Sequence, residues 1–312
     1  MPIYMKPFDD YARGARLSPE LLCSPGDVRL AMPPRRMDAN KFSSGSVMIV
    51  GGSQYYHGAP VLSARAASTA MAALRTGVGY VTVCVPKSIE TAVRCLSAGL
   101  VVLAFDGDSL SKRAIGALED VRHTVSVIGP GLGRGDGVEK AVVAFLKMEA
   151  DAGRTVVVDG DAIRAMPLAD SSAWANTIVT PHHGEFKAVT GVDLSGAKLP
   201  RRVEAAAMFA AERHCVIVLK GHETIVTDGM RVKINLSKSP ALATMGTGDV
   251  LSGMIAAYAS MSGLRFESAA AGVYVHSAIG DKLRKTKGLH IVAQDVIDAM
   301  PDFLRRFDRT VG

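Results

Sequence analysis

TVSVIGPGLGRGDGVEKAVVAFLKME, residues 124–149, holds in one stretch the unit that decides the fold. A β-branched apolar run, Thr124–Ile128, ends in a glycine-rich loop, and an amphipathic stretch over 137–149 follows. A short, continuously apolar run is the pattern of a strand buried on both faces. The stretch after it carries the period of a helix. The same unit recurs along the chain. SVMIV (46–50), YVTVCV (80–85), LVVLAF (100–105), TVVVD (155–159), TIVT (177–180) and VIVLK (216–220) read as further strands. Helical patterns fall at 60–76, 88–97, 201–213, 249–261, 267–283 and 293–307. This alternation predicts an α/β fold, a largely parallel central sheet with helices on both faces. After Val216 the rhythm changes: ETIVTDGMRVKIN predicts a hairpin about Asp228–Gly229.

The bulk numbers agree with this. The chain has 312 residues, 48% apolar and 21% charged, enough for a sizeable core and too apolar for disorder. Aromatics are only 5%, which excludes a stacking surface for single-stranded nucleic acid. Net charge is +6, but the basic residues are scattered. The clusters Arg35–Arg36, Arg201–Arg202 and Lys282–Lys287 read as solvated faces, so nucleic acid is not an expected partner. Cys23, Cys84, Cys95 and Cys215 form no C-x-x-C or zinc spacing; Cys84 and Cys215 read as buried thiols in a reducing, cytoplasmic interior. No secretory h-region opens the chain, and the most apolar long stretch, 59–77, is broken by Arg65 and Arg75, so no membrane span is expected. Residues 1–40, Pro- and Met-rich with a short helix near Ser18–Leu22, read as an N-terminal extension packed on a single domain, 41–312. PPRRMDANKFSSG (33–45) reads as a connection.

The loops after the strands carry the functional signal. GGSQYYHGA (51–59), GPGLGRGDG (129–137), GDA (160–162), PHHGE (181–185) and KGHET (220–224) gather glycine and polar groups at strand C-termini, the edge where open α/β sheets bind ligands. Five such loops define one long cleft. Neither a G-x-G-x-x-G fingerprint nor a Walker A loop is present. The glycines at 129, 131 and 133 fit a tight turn or a backbone contact to ligand equally well. His182 and His183, with Glu185 close by, lack the further ligands of a metal site; one of them contacts ligand, and His182 is the stronger candidate. Lys220, at a strand end beside glycine, is either a surface charge or a phosphate contact. In ATMGTGDVLSGM (243–254) an apolar helix follows Asp249 at once. Asp249 either caps that helix or acts as a base, with the N–H groups of the Gly246–Asp249 turn as an anion hole for phosphoryl transfer.

Taken together and in order, GGSQYYHGAPVLSARAASTAMAALRTGVGYVTV, GPGLG, DGDA, TPHHGEF, LKGHET and GTGDVLSG resemble the ADP- or ATP-dependent NAD(P)H-hydrate dehydratases of the ribokinase-like superfamily. The resemblance runs from about residue 40 to 300. GTGD alone marks only the superfamily; its combination with the 51–59 and 180–185 motifs is far more specific. It implies a three-layer sandwich and a repair reaction: the hydroxyl of (S)-NADHX or NADPHX is phosphorylated, and phosphate then leaves to restore NADH or NADPH. By motif, Asp249 is the implied base, with Gly246, Thr247 and Gly248 as the anion hole. Ala59, Gly131, His182 and Asp249 are implied on the hydrate side; Lys220, Gly221, His222, Glu223, Thr224 and Gly248 on the nucleotide side. ADP or ATP is the implied phosphoryl donor, with Mg²⁺ on its phosphates and no protein metal site. A homo-oligomer is implied, and any epimerase is expected as a separate chain. Two positions depart from the family pattern: Met245 where glycine is common before GTGD, and His183 where H-P-G-E has proline. The alternatives are another ribokinase-like kinase, for a vitamin-precursor alcohol, and a nucleotide-binding module without catalysis.

Overall fold

A computed structural model of the protein describes residues 5–54, 59–237 and 239–312, apart from the side chains of 59–64 and 67. Seven strands run parallel: β1 (Ser46–Val50), β2 (Tyr80–Pro86), β3 (Val101–Phe105), β4 (Val125–Ile128), β5 (Thr155–Val158), β6 (Thr177–Val179) and β7 (Val216–Leu219). The expected hairpin, β8 (Thr224–Thr227) and β9 (Val232–Asn235), adds antiparallel to β7. The nine-stranded sheet has the order β9-β8-β7-β6-β5-β4-β1-β2-β3. The main helices are α1 (Ala59–Thr76), α2 (Asp136–Asp151), α3 (His183–Thr190), α4 (Leu199–Arg213), α5 (Thr247–Ser262), α6 (Arg265–Lys287) and α7 (Ala293–Leu304).

The period of two divides the sheet between two cores. Val47 and Ile49 of β1 pack with Ala66 and Ala70 of α1 and Leu251 and Ile255 of α5. Met48 and Val50, pointing the other way, pack with Phe145 of α2, Phe186 of α3 and Val203 of α4. A third cluster lies behind α5, where Val250, Met254 and Tyr258 meet α6 and α7. Because α5 faces core on both sides, it is apolar all round, which is why its sequence shows little helical contrast. Val296, Ile297, Phe303 and Leu304 of α7 are buried in that third cluster and belong to the core of the chain itself.

Residues 5–40 are more ordered than their weak periodicity predicts. Helices form over Lys6–Ala12 and Pro25–Ala31, burying Phe8 in one core and Val28 and Ala31 in another. Arg35–Arg36, read as connection, pairs in parallel with Thr310–Val311. Arg202 also departs from expectation. It is buried rather than solvated, held in an ion pair with Glu223.

The strand order sets the place of the site. The chain winds one way from β1 to β2 and β3, and the other way from β4 onward. The crevice of a parallel sheet opens where that direction reverses, between β1 and β4 at the strand C-termini. The loops there approach closely. A Cβ on Gly129 would lie 1.6 Å from the Asp159 carbonyl oxygen, and its φ is +128°, so only glycine fits.

Candidate active site

The site is assembled at the N-terminus of α5. Gly246, at φ +88°, turns the chain into the helix. Thr247 anchors that turn, its hydroxyl donating to Leu242 O at 2.7 Å and Thr244 O at 2.9 Å. Gly248 and Asp249 follow in the first turn, where backbone N–H groups have no carbonyl partner within the helix. Asp249 does not cap. Its carboxylate is 1% exposed and its Oδ2 accepts instead from Arg65 Nε of α1 at 2.9 Å. One turn along, the two helices touch: a Cβ on Gly253 would lie 2.2 Å from Thr69 O. Arg65 and Thr69 stand four apart on α1, as do Asp249 and Gly253 on α5. Successive turns of one helix thus meet successive turns of the other. The small residue at 253 is what lets the guanidinium reach the acid.

The second oxygen of Asp249, Oδ1, is buried without a hydrogen-bond partner among the described residues. Burial raises the Asp249 pKa above its ordinary value; Arg65 pulls the other way without cancelling it. The result is an acid held in place by one oxygen, with the other unused.

Across the turn stands Lys220, at the end of β7. Its Nζ donates to Asp159 Oδ1 at 2.9 Å and lies 4.0 Å from Glu185 Oε2. Thr180 also donates to Asp159, at 2.7 Å. Burial opposes the charge on Asp159, yet Lys220 and Thr180 outweigh it and hold the carboxyl below its usual range. Burial likewise opposes the Lys220 ammonium, and Asp159 and Glu185 more than compensate, so lysine stays charged. A Cβ on Gly248 would lie 3.7 Å from Nζ, which places this cation against the α5 turn.

The PHHGE stretch, expected as loop, forms the start of α3. His182 is its N-cap: Nδ1 accepts from Glu185 N at 3.1 Å while Glu185 Oε2 accepts from His182 N at 2.8 Å. This is a capping box with histidine where Ser or Thr is usual. His183 is the first helical residue, a position that suits proline because its N–H needs no partner. The departure at 183 therefore costs preorganisation and no hydrogen bond.

A cleft of about 580 Å³ lies between these groups and α6. Lys220, Gly221, His222, Thr224, Thr247 and Gly248 line it, as does His182. Glu223 does not; its carboxylate turns to Arg202. Gly131, at φ +65°, is buried in the loop after β4 at the same sheet edge. Ala59 opens α1, with its side chain outside the described residues, as are residues 55–58 of the 51–59 loop. Met245 is 74% exposed and is not among the cleft-lining residues. Reading the sequence missed Arg65, Asp159 and the cleft residues Asn235, His276 and Ser277. The GDA loop flagged the neighbourhood of Asp159; nothing in the sequence flagged the others.

A family model described as NAD(P)H-hydrate dehydratase matches residues 47–302. The chain is 35% identical over 288 residues to an ADP-dependent (S)-NAD(P)H-hydrate dehydratase of Cenarchaeum symbiosum, covering 91% of this chain and 96% of that one. It is also 35% identical over 290 residues to a bifunctional NAD(P)H-hydrate repair enzyme of Pyrobaculum aerophilum, covering 92% of this chain but only 56% of that protein. Among solved structures, an ADP/ATP-dependent NAD(P)H-hydrate dehydratase from Bacillus subtilis, co-crystallised with ATP and Mg²⁺, superposes with TM-score 0.75 at 23% identity, over 93% of this chain and 99% of that one. The ribokinase-like architecture implied by the motifs is the one observed. The chain belongs to the NAD(P)H-hydrate dehydratase family.

Proposed function

We propose that this chain repairs hydrated nicotinamide cofactors, using an adenine nucleotide to dehydrate (S)-NADHX or NADPHX, with Asp249 as the base. ADP is the proposed donor, as in the name of the Cenarchaeum relative. One observation carries the assignment: the buried, unpartnered Oδ1 of a carboxylate that Arg65 holds by its other oxygen, at a helix N-terminus beside Lys220. The hydrate's ring hydroxyl donates to Oδ1 and gives up its proton as its oxygen attacks the terminal phosphorus. The burial that raises the Asp249 pKa makes it a stronger proton acceptor once ionised. Negative charge spreading over the phosphoryl oxygens is met by the α5 N-terminus and the Lys220 ammonium. The new phosphate ester is a far better leaving group than hydroxide. The ring nitrogen pushes electrons toward the departing phosphate, and loss of a proton from the neighbouring ring carbon completes the double bond.

Lys220, Gly221, His222, Thr224 and Gly248 are proposed on the nucleotide side, in the 580 Å³ cleft. Ala59 and Gly131 are proposed on the hydrate side, and so is His182, from the wall it shares with that cleft. Among the described residues no three His, Cys, Asp or Glu are grouped to hold a metal. Mg²⁺ is proposed to arrive on the nucleotide phosphates, liganded by them and by water. A homo-oligomer in the cytoplasm, working with an epimerase activity for the other hydrate epimer, completes the proposal.

The test is to incubate the protein with NADPHX, Mg²⁺ and ADP or ATP. Recovery of dihydronicotinamide absorbance, with one phosphate released per cofactor, supports the reading. Accumulation of a stable phosphorylated product makes the protein a kinase, and nucleotide binding without turnover makes it a binding module.

A further inference from the structure

His276 lies midway along α6 and lines the cleft, yet the proposed dehydration makes no use of it. It is 8% exposed, and its Nε2 is buried without a hydrogen-bond partner among the described residues. The Thr247 backbone beside the ring favours its protonated form. A ring hydrogen on Nδ1 is the tautomer that leaves Nε2 bare. Burial drives the His276 pKa down to about 4, and Lys220 pushes the same way, so the imidazole is neutral near pH 7. A neutral imidazole with its hydrogen on Nδ1 presents a bare lone pair at Nε2.

A lone pair repels phosphate oxygens and takes an O–H or N–H. An adenine nucleotide offers two kinds of donor, the ribose hydroxyls and the exocyclic amine of the base. Position chooses between them. His276 lines the cleft together with Thr247 and Gly248, the turn assigned to the phosphates. The ribose is the unit joined to those phosphates; the base lies one unit further out. Beside His276 the wall stays polar, with Asn235 Nδ2 donating to Ser277 Oγ at 2.8 Å, while Pro240, Leu242 and Leu251 supply an apolar part suited to a base.

We propose that Nε2 of His276 accepts a hydrogen bond from a ribose hydroxyl of the nucleotide, making His276 the residue by which the cleft tells ribonucleotides from deoxyribonucleotides. The inference rests on this cleft being the nucleotide site. ADP, 2′-deoxy-ADP, 3′-deoxy-ADP and IDP are titrated into the full chain as wild type, His276→Phe and His276→Gln. Loss of one neutral hydrogen bond corresponds to about tenfold in affinity. Wild type is expected to bind one deoxy analogue about tenfold more weakly than ADP. In His276→Phe that ratio falls close to one, and in His276→Gln, whose amide oxygen can accept, part of it returns. Melting of each unliganded variant checks folding, and His276→Ala replaces Phe if the larger ring is not tolerated. Discrimination that is absent from wild type, or that survives in His276→Phe, overturns the inference and leaves the nucleotide site standing. A His276-dependent loss confined to IDP overturns it too, by pointing to the base amine. Failure of wild type to bind ADP at all overturns both.

Discussion

Replacing Asp249 by asparagine separates its chemistry from its structural place. Arg65 Nε donates to Oδ2 at 2.9 Å, and a donor requires an acceptor, so the amide oxygen must take that position. The amide NH₂ then occupies the place of the unpartnered Oδ1. Where the carboxylate offers a lone pair to the substrate hydroxyl, the variant offers a hydrogen, and proton abstraction stops. General-base catalysis is worth about 10²–10⁴-fold, or about 3–5 kcal/mol in the barrier. Stability moves differently. Burial raises the folded pKa of Asp249, so its contribution to stability is greatest below the unfolded carboxyl value and is lost as pH rises through the folded one. At neutral pH the ionised acid is thus a burden on the fold, and Asp249→Asn should melt no lower than wild type. The assay is recovery of dihydronicotinamide absorbance, with thermal melting and ADP titration on the same preparation. The pH profile belongs to the same test. Wild-type kcat/KM should fall at acidic pH with an apparent pKa above the ordinary value of about 3.9, because the base must be ionised, and this limb should be missing from the variant's residual rate. A variant that folds, binds ADP and turns over within tenfold of wild type would refute the reasoning.

Gly253→Ala tests how α1 positions Arg65. The new Cβ would lie 2.2 Å from Thr69 O, so the helices must part. Stability should fall by about 1–3 kcal/mol, and kcat should fall more than ADP affinity, read by denaturation and steady-state kinetics. His182→Asn keeps an N-cap for α3, since asparagine caps well, while removing the imidazole. It should raise the KM for NADPHX and leave the ADP Kd nearly unchanged; equal losses for both ligands would remove His182 from the hydrate side.

The layout of the sheet was legible because β1, β2 and β4–β7 are buried on both faces, so each appears as an apolar run, which the partly exposed edge strand β3 repeats. The polar loops at their ends marked the ligand edge for the same reason. The short helix α3 was not legible: it has eight residues, includes Gly184, and starts on a histidine rather than a usual N-cap residue. Asp249 was visible as a candidate base, but not its partner. Arg65 lies 184 positions away and reads only as a charge interrupting an alanine-rich helix. His276 is one polar residue in a long buried helix, and only the fold brings it beside Thr247. Strand and helix periodicity reports which face of an element is buried; it does not report which two elements meet.

The central claim is that the substrate hydroxyl is phosphorylated and leaves as phosphate. NADPHX carrying ¹⁸O in its ring hydroxyl, turned over with unlabelled ADP, tests it most directly. Phosphoryl transfer to that oxygen predicts one ¹⁸O in every phosphate released by productive turnover, and none in solvent water. Restored NADPH accompanied by unlabelled phosphate, with the label in water, would show that hydroxide left directly and would contradict the role given to Asp249.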